Sequence, residues 1–281
     1  MSIKLYDETS YKISDVITRS YSTSFSLAIR SFGKEMQNSI AAVYGLVRIA
    51  DEIVDTFHDK DKISLLHTLR KDTFESIEKK ISINPVLHSF QLTVNEYSIP
   101  HDYIESFFES MKMDIYNNYY DRVNYDKYVY GSAEVVGLMC LKIFCHGNDR
   151  LFEELKEPAR ALGSAFQKVN FLRDIKNDLS ERKRIYLPGA ENSTFINQKN
   201  KQLLEDEIER EFSIASRGIK RLPDNSRIAV YSAYQYYYKL FDKIKRLEVE
   251  DLFLNRISVS NYTKIFLLLK NTVRLKLSLF V

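Results

Sequence analysis

Asp51 and Asp55 stand four residues apart in AAVYGLVRIADEIVDTF, and Asp174 and Asp178 repeat that spacing in GSAFQKVNFLRDIKNDLSERKRIYLP. On a helix, at about 100° per residue, Tyr44, Arg48, Asp51 and Asp55 fall on one stripe. Gly163, Gln167, Asn170, Asp174 and Asp178 fall on another. Like charges one turn apart repel, and the first pair is flanked by Ala, Val, Leu and Ile. A core-like helix avoids such a pair unless a cation neutralises it. One Asp-x-x-x-Asp pair is common on solvated faces, and Arg48 alone could be an ordinary partner of nearby acids. Two pairs with matching spacing, each with polar residues one and two turns upstream, point to a site.

The chemistry such pairs can do is metal-assisted handling of diphosphate. Mg²⁺ takes only one or two protein carboxylates and fills its shell with water and phosphate oxygens. It would bridge protein to diphosphate and neutralise the leaving group. Arg173, Lys176, Arg182, Lys183 and Arg184 supply positive charge for the remaining phosphate oxygens. No Walker A sequence is present, which disfavours nucleotide hydrolysis of that kind. Gln167 and Asn170 are amides in an otherwise apolar helix, costly if buried without partners.

Helices must carry these residues. Apolar residues recur with helical spacing near 10–20, 22–31, 36–57, 62–80, 85–98, 101–119, 125–147, 149–179, 196–221, 225–248 and 258–279. Short polar breaks, such as Asp59-Lys60-Asp61, Gly147-Asn148-Asp149 and Pro188-Gly189, separate them. None is long enough for an interdomain linker, so residues 1–281 read as one all-α domain. Only 8 Gly and 5 Pro fit that reading, since tight turns are few. The 19 Tyr and 17 Phe suit a deep apolar cavity with polar tips, or an ordinary aromatic core.

A net charge of +3, from 41 basic and 38 acidic residues, is too balanced for nucleic acid. Cys140 and Cys145 lie in an apolar stretch without a nearby His pair, so buried thiols in a reducing cytoplasm are expected. The N-terminus lacks the apolar core of a secretory signal, and no run approaches the roughly 20 apolar residues of a membrane span. The C-terminal KIFLLLKNTVRLKLSLFV reads as a closing helix packed on the core. Its basic, amphipathic pattern would also suit peripheral contact with a membrane surface.

Over about residues 18–245 the chain resembles the squalene and phytoene synthase family, through YSTSFSLA, VYGLVRIADEIVD, YVYGSAEVVGLMC and QKVNFLRDIKNDLSERKRIYLP in that order. The resemblance implies an isoprenoid synthase-type bundle around a deep central cavity. Asp51, Asp55, Asp174 and Asp178 would bind Mg²⁺, or Mn²⁺ in its place, together with diphosphate. Arg48 and Arg173 match diphosphate-holding positions, and Arg184 and Tyr186 a segment that closes over phosphate. Ser22, Ser24 and Phe25 match an early substrate segment, although both serines also suit helix caps. Tyr44, Tyr130, Gln167, Asn170 and Tyr237 match polar cavity residues. Read alone, Tyr130 is one more core aromatic, and Tyr237 is one of four tyrosines crowded between 234 and 238. Ala133 and Gly137 match small residues that leave room for a prenyl chain, although Gly131 and Gly137 also suit tight helix packing. Thr23 stands where several relatives have Lys, and Tyr21 where some have His, so one diphosphate contact is missing or supplied elsewhere. The stretch from Asp178 to Arg184 is about one residue longer than in some bacterial relatives.

The implied reaction joins two prenyl diphosphates head to head through a cyclopropylcarbinyl diphosphate. The DEIVD and NFLRDIKND forms are closest to carotenoid-pathway members, so two geranylgeranyl diphosphates giving phytoene, without NADPH, is the expected activity. Two farnesyl diphosphates giving dehydrosqualene or squalene is the alternative. A non-catalytic scaffold ranks lower, because all four Asp are present, and a cyclising terpene synthase would not explain YVYGSAEVVG and RIYLP. The expected proton acceptor is released diphosphate or a Tyr such as Tyr44. A cytoplasmic location is expected, with peripheral membrane contact the alternative to a core-packed C-terminal helix, and the sequence does not set an oligomeric state.

Overall fold

The computed structural model describes residues 2–182, 184, 186, 188, 197–254 and 257–258. Among these, every element is helical. In chain order they are α1 (Ile3–Tyr21), α2 (Thr23–Ile29), α3 (Lys34–Asp55), α4 (Lys62–Lys79), α5 (Pro85–Tyr97) and α6 (His101–Tyr116). Then come α7 (Arg122–Val129), α8 (Val135–Phe144), α9 (Asp149–Asn177), α10 (Gln198–Ile219), α11 (Asp224–Lys245) and the short α12 (Val249–Leu252). The C-terminal helix expected over 258–279 lies outside the described residues apart from its first position, as does Lys183.

Local chemistry sets the boundaries. Ser22, Asp61, Asn84, Asp121, Asn148 and Asn197 each accept a backbone N–H of the first turn that follows, satisfying donors with no intrahelical partner. Pro85 adds a pre-set φ at the first position of α5. Lys80 and Ser98 end α4 and α5 in the left-handed region, at φ 55° and 50°.

α3 is the most deeply set element near the site. Residues Ser39 to Leu46 are buried apart from Tyr44, and α3 packs against α1, α5, α6 and α8. Phe90, Ile104, Phe107, Val135 and Leu138 continue that core. A second core joins α9, α10 and α11 through Val169, Leu172, Ile208, Phe212 and Leu240. The short α2 touches α1, α3 and α11, which closes the helices into a ring around a cavity of about 750 Å³.

The run expected as one helix over 125–147 is three pieces. A π-helical turn, Tyr130–Glu134, separates α7 from α8. It is wedged between two helices. A Cβ on Gly131 would lie 2.2 Å from the Ser106 carbonyl oxygen, and one on Gly163 would lie 2.6 Å from that of Ala133. Only glycine allows these approaches. A second π turn, Asp178–Arg182, follows α9 and carries the end of the second acidic pair. Such turns recur at functional sites. α1 also starts earlier than the expected residue 10, at Ile3.

Candidate active site

The aspartates of α3 and α9 follow the last cavity-lining residues of their helices, Arg48 and Arg173, and none of the four is itself among the lining residues. Asp51 and Asp55 lie on the last turns of α3, Asp174 on the last turn of α9, and Asp178 at the start of the π turn. Arg182 joins the two pairs: its Nε lies 3.1 Å from Asp55 and its Nη1 2.5 Å from Asp178. Arg184 adds a second guanidinium on Asp55 at 2.7 Å and donates to the Val54 carbonyl at 3.4 Å. Lys62 donates to the same carbonyl at 2.6 Å. Arg173 lies against its neighbour Asp174.

The electrostatics set Asp51 and Asp178 apart from ordinary surface acids. Burial, and then the repulsion of Asp55, pushes the Asp51 carboxyl up to about 7 against the pull of Arg48 and Arg182. Burial pushes Asp178 up to about 6 despite its contact with Arg182. Both remain short of positive charge. Hard oxygen donors of this kind suit Mg²⁺. Among the described residues no three His, Cys, Asp or Glu side chains gather closely enough to enclose an ion.

The cavity runs away from this charged end. Ser22, Phe25, Tyr44, Arg48, Ala133, Gly137, Gln167, Asn170, Arg173 and Tyr237 all line it. Ser22 both caps α2 and faces the cavity. Phe25 stacks on Tyr44 with ring centroids 4.9 Å apart, and Phe166 stacks on Tyr237 at 3.9 Å. A polar string crosses the wall: Tyr237 donates to Asn170 at 3.3 Å, Asn170 to Gln167 at 3.4 Å, and Gln167 to Ser132 at 3.4 Å. Tyr237 is therefore a wall residue and not merely one more core ring. Arg48 pairs with Glu52 and stacks over the Tyr21 ring at 4.3 Å, so the bland reading of an intrahelical pair also holds.

Other residues sit differently from expectation. Tyr130 is not among the cavity-lining residues. Its ring lies under the Arg160 guanidinium, 5.3 Å away, and packs against the first core. Gly137 faces the cavity, but a Cβ there would also meet the Ala159 carbonyl at 3.0 Å, so its small size serves helix packing as well. The side chain of Ser24 lies outside the described part of the structure. Cys140 lines the cavity and Cys145 is buried, with burial pushing the thiols up to about 12 and 11.

Sequence reasoning missed Asp114, Tyr120, Tyr128 and Lys62. Asp114, on α6, is buried and accepts hydrogen bonds from Tyr120, Tyr128 and Tyr186. The signal was there: Asp114 continues the stripe of Ile104, Phe107, Phe108 and Met111 at helical spacing, an acid on a core face. Lys62 carries no such mark, because it opens α4 in a polar stretch.

Residues 18–263 match the family model for squalene/phytoene synthase. The chain belongs to that family. It is a prenyltransferase-type synthase by membership. Over 285 residues it is 28% identical to the phytoene synthase of Arthrospira platensis, covering 92% of this chain and 91% of that protein. It is 27% identical to the 4,4'-diapophytoene synthase of Staphylococcus haemolyticus, covering 73% of this chain and 69% of that one. In fold it is similar to a crystal structure of a dehydrosqualene synthase, with a TM-score of 0.81 at 22% identity, covering 96% and 98% of the two chains. The squalene/phytoene synthase match thus spans both acidic pairs and all the residues that line the cavity. No described helix is long and apolar enough to cross a membrane.

Proposed function

We propose that this protein condenses two geranylgeranyl diphosphates head to head to phytoene through a cyclopropylcarbinyl diphosphate, without reduction. The observation that carries the reading is Arg182 reaching from Asp55 to Asp178, because it draws both acidic pairs together just beyond Arg48 and Arg173, which line a largely apolar cavity. Asp51, Asp55, Asp174 and Asp178 would hold Mg²⁺, which when bound neutralises the charge that develops on the departing diphosphate. Arg173, Arg182 and Arg184 would bind the phosphate oxygens, each guanidinium already placed against a carboxylate at the rim.

Each prenyl tail would lie among the apolar walls. The lining positions on α9 run from Leu155 to Arg173, about 27 Å of helix, which accommodates a long chain. Those walls exclude the water that would trap an allylic cation. The Phe25–Tyr44 and Phe166–Tyr237 stacks offer aromatic faces to a passing positive charge. Burial raises the Tyr44 phenol above its ordinary pKa, so it stays protonated and serves as a dipole and hydrogen-bond donor. Released diphosphate is then the better acceptor for the final proton.

Farnesyl diphosphate is the second reading, favoured by the near-equal similarity to a 4,4'-diapophytoene synthase. The deciding experiment incubates purified protein with each diphosphate separately, with Mg²⁺, with and without NADPH, and identifies the hydrocarbon. Phytoene from the longer substrate alone is expected. A C30 hydrocarbon from farnesyl diphosphate alone would establish the second reading, and no product from either would return the protein to the scaffold class.

A further inference from the structure

Asp114 is a buried carboxylate outside both acidic pairs and outside the cavity wall. It lies on the last turn of α6. One of its oxygens accepts from the Tyr120 hydroxyl at 2.7 Å and from the Tyr186 hydroxyl at 3.0 Å. The other accepts from the Tyr128 hydroxyl at 2.7 Å and lies 3.9 Å from Nη1 of Arg184. That same Nη1 donates to Tyr186 at 3.1 Å and to Asp55 at 2.7 Å. The Arg184 guanidinium therefore sits between two carboxylates, Asp55 at the rim and Asp114 behind it.

Arg184 and Tyr186 follow the π turn, beyond the end of any helix. One backbone bond, from the Arg184 N–H to the Asp178 carbonyl at 2.9 Å, ties the segment to the π turn, and side-chain contacts add to it. Tyr186 is clasped by rings, with centroids 5.3 Å from Tyr120, 5.2 Å from Tyr128 and 4.6 Å from Phe171. Its hydroxyl hydrogen-bonds both Asp114 and Arg184. Burial raises the pKa of Asp114, opposed first by Arg184 and then by the hydrogen bonds from Tyr128 and Tyr120. A carboxyl group held by three hydroxyls behind the guanidinium can aim it without occupying the face turned to Asp55.

We infer that Asp114 is a positioning residue for Arg184, holding the guanidinium at the acidic rim, through direct attraction and through Tyr186, so that it is pre-aimed at diphosphate. This role rests on the proposed function, since it concerns the same diphosphate end of the cavity. The gain is preorganisation: the cation need not be ordered when the ligand arrives. Asp114 itself touches neither the cavity nor the proposed reacting atoms.

The test measures binding of inorganic pyrophosphate with Mg²⁺ to the full-length protein by calorimetry. The variants are Asp114→Asn, Arg184→Gln, the double substitution, Tyr186→Phe and Tyr120→Phe, each with a melting curve. Asp114→Asn and Arg184→Gln should each weaken binding about tenfold, and the double variant should bind no worse than Arg184→Gln alone. Tyr186→Phe and Tyr120→Phe each remove one hydrogen bond from the same carboxylate oxygen, but only Tyr186 also meets Arg184. Tyr186→Phe should therefore weaken binding, while Tyr120→Phe stays within about twofold of wild type and only lowers the melting temperature. If Asp114→Asn does not fold, this tyrosine pair decides the matter. Equal losses for the two tyrosine variants, or losses that multiply in the double variant, would overturn the positioning role and leave the diphosphate reading intact. Wild-type protein that fails to bind pyrophosphate with Mg²⁺ would overturn both.

Discussion

Asp51 carries its burial without enough positive charge beside it, and its carboxyl is pushed up to about 7 as a result. Asp51→Ala removes that unfavourable burial together with the carboxylate proposed to hold a cation. Turnover of prenyl diphosphate should fall by at least about a hundredfold, while the melting temperature stays at or above wild type. Asp174→Ala should cost as much activity but also lower the melt, because it strands Arg173. Product formation and thermal melts on the same samples check both. Away from the site, Glu207 tells the opposite story. Burial acts to raise it, but Arg122 and Lys168 outweigh that and hold it down at about 2, against 4.5 for an ordinary glutamate. Its contribution to stability is therefore present above about pH 4.5 and lost as pH falls through about 2. Melting temperatures across that window should fall less steeply for Glu207→Gln than for wild type. An identical slope would remove Glu207 from the account of acid sensitivity.

Helices are where periodicity reads well, and α4, α5 and α9 begin at the expected residues. The π turn at Tyr130–Glu134 was invisible to it. Apolar spacing continues on both sides, and the inserted residue is forced by close approach of α6 and α9 at Gly131 and Gly163. Gly163→Ala tests that cause. A methyl 2.6 Å from the Ala133 carbonyl must push α9 away from the turn, costing about 1–3 kcal/mol in urea unfolding. The shift would also displace Gln167, one turn along α9 and hydrogen-bonded to Ser132 of the same turn. Activity should therefore fall even at temperatures where the variant remains folded. A variant as stable and active as wild type would show the approach to be incidental.

At the scale of the whole molecule, the two acidic pairs come from helices far apart in sequence, and the rim exists only when α3 and α9 are both in place. A ligand spanning the rim should hold the fold together. Mg²⁺ with pyrophosphate should raise the melting temperature, by an amount corresponding to about 2.7 kcal/mol at a ligand concentration a hundredfold above its dissociation constant. Either component alone should do much less, because each supplies half of the charge balance. The same addition to Asp51→Ala should produce little shift. Differential scanning fluorimetry reads all of these, and an equal rise in that variant would place the stabilising ligand elsewhere.

The sequence by itself determined the helices, the two carboxylate stripes and the amides aligned with the second of them, because these depend on spacing within one element. It also carried the resemblance to a family of known fold. It did not show that Arg182 would lie between Asp55 and Asp178, or that Tyr130, which the resemblance set on the cavity wall with Tyr237, would lie away from it. Each of those depends on how helices cross and where a π turn rotates the chain. Asp114 shows the division most plainly: the spacing put an acid on a core face, but its tyrosine donors and its arginine come from residues 120, 128, 186 and 184, which only the packing of α6 against α7 and the segment after α9 brings together.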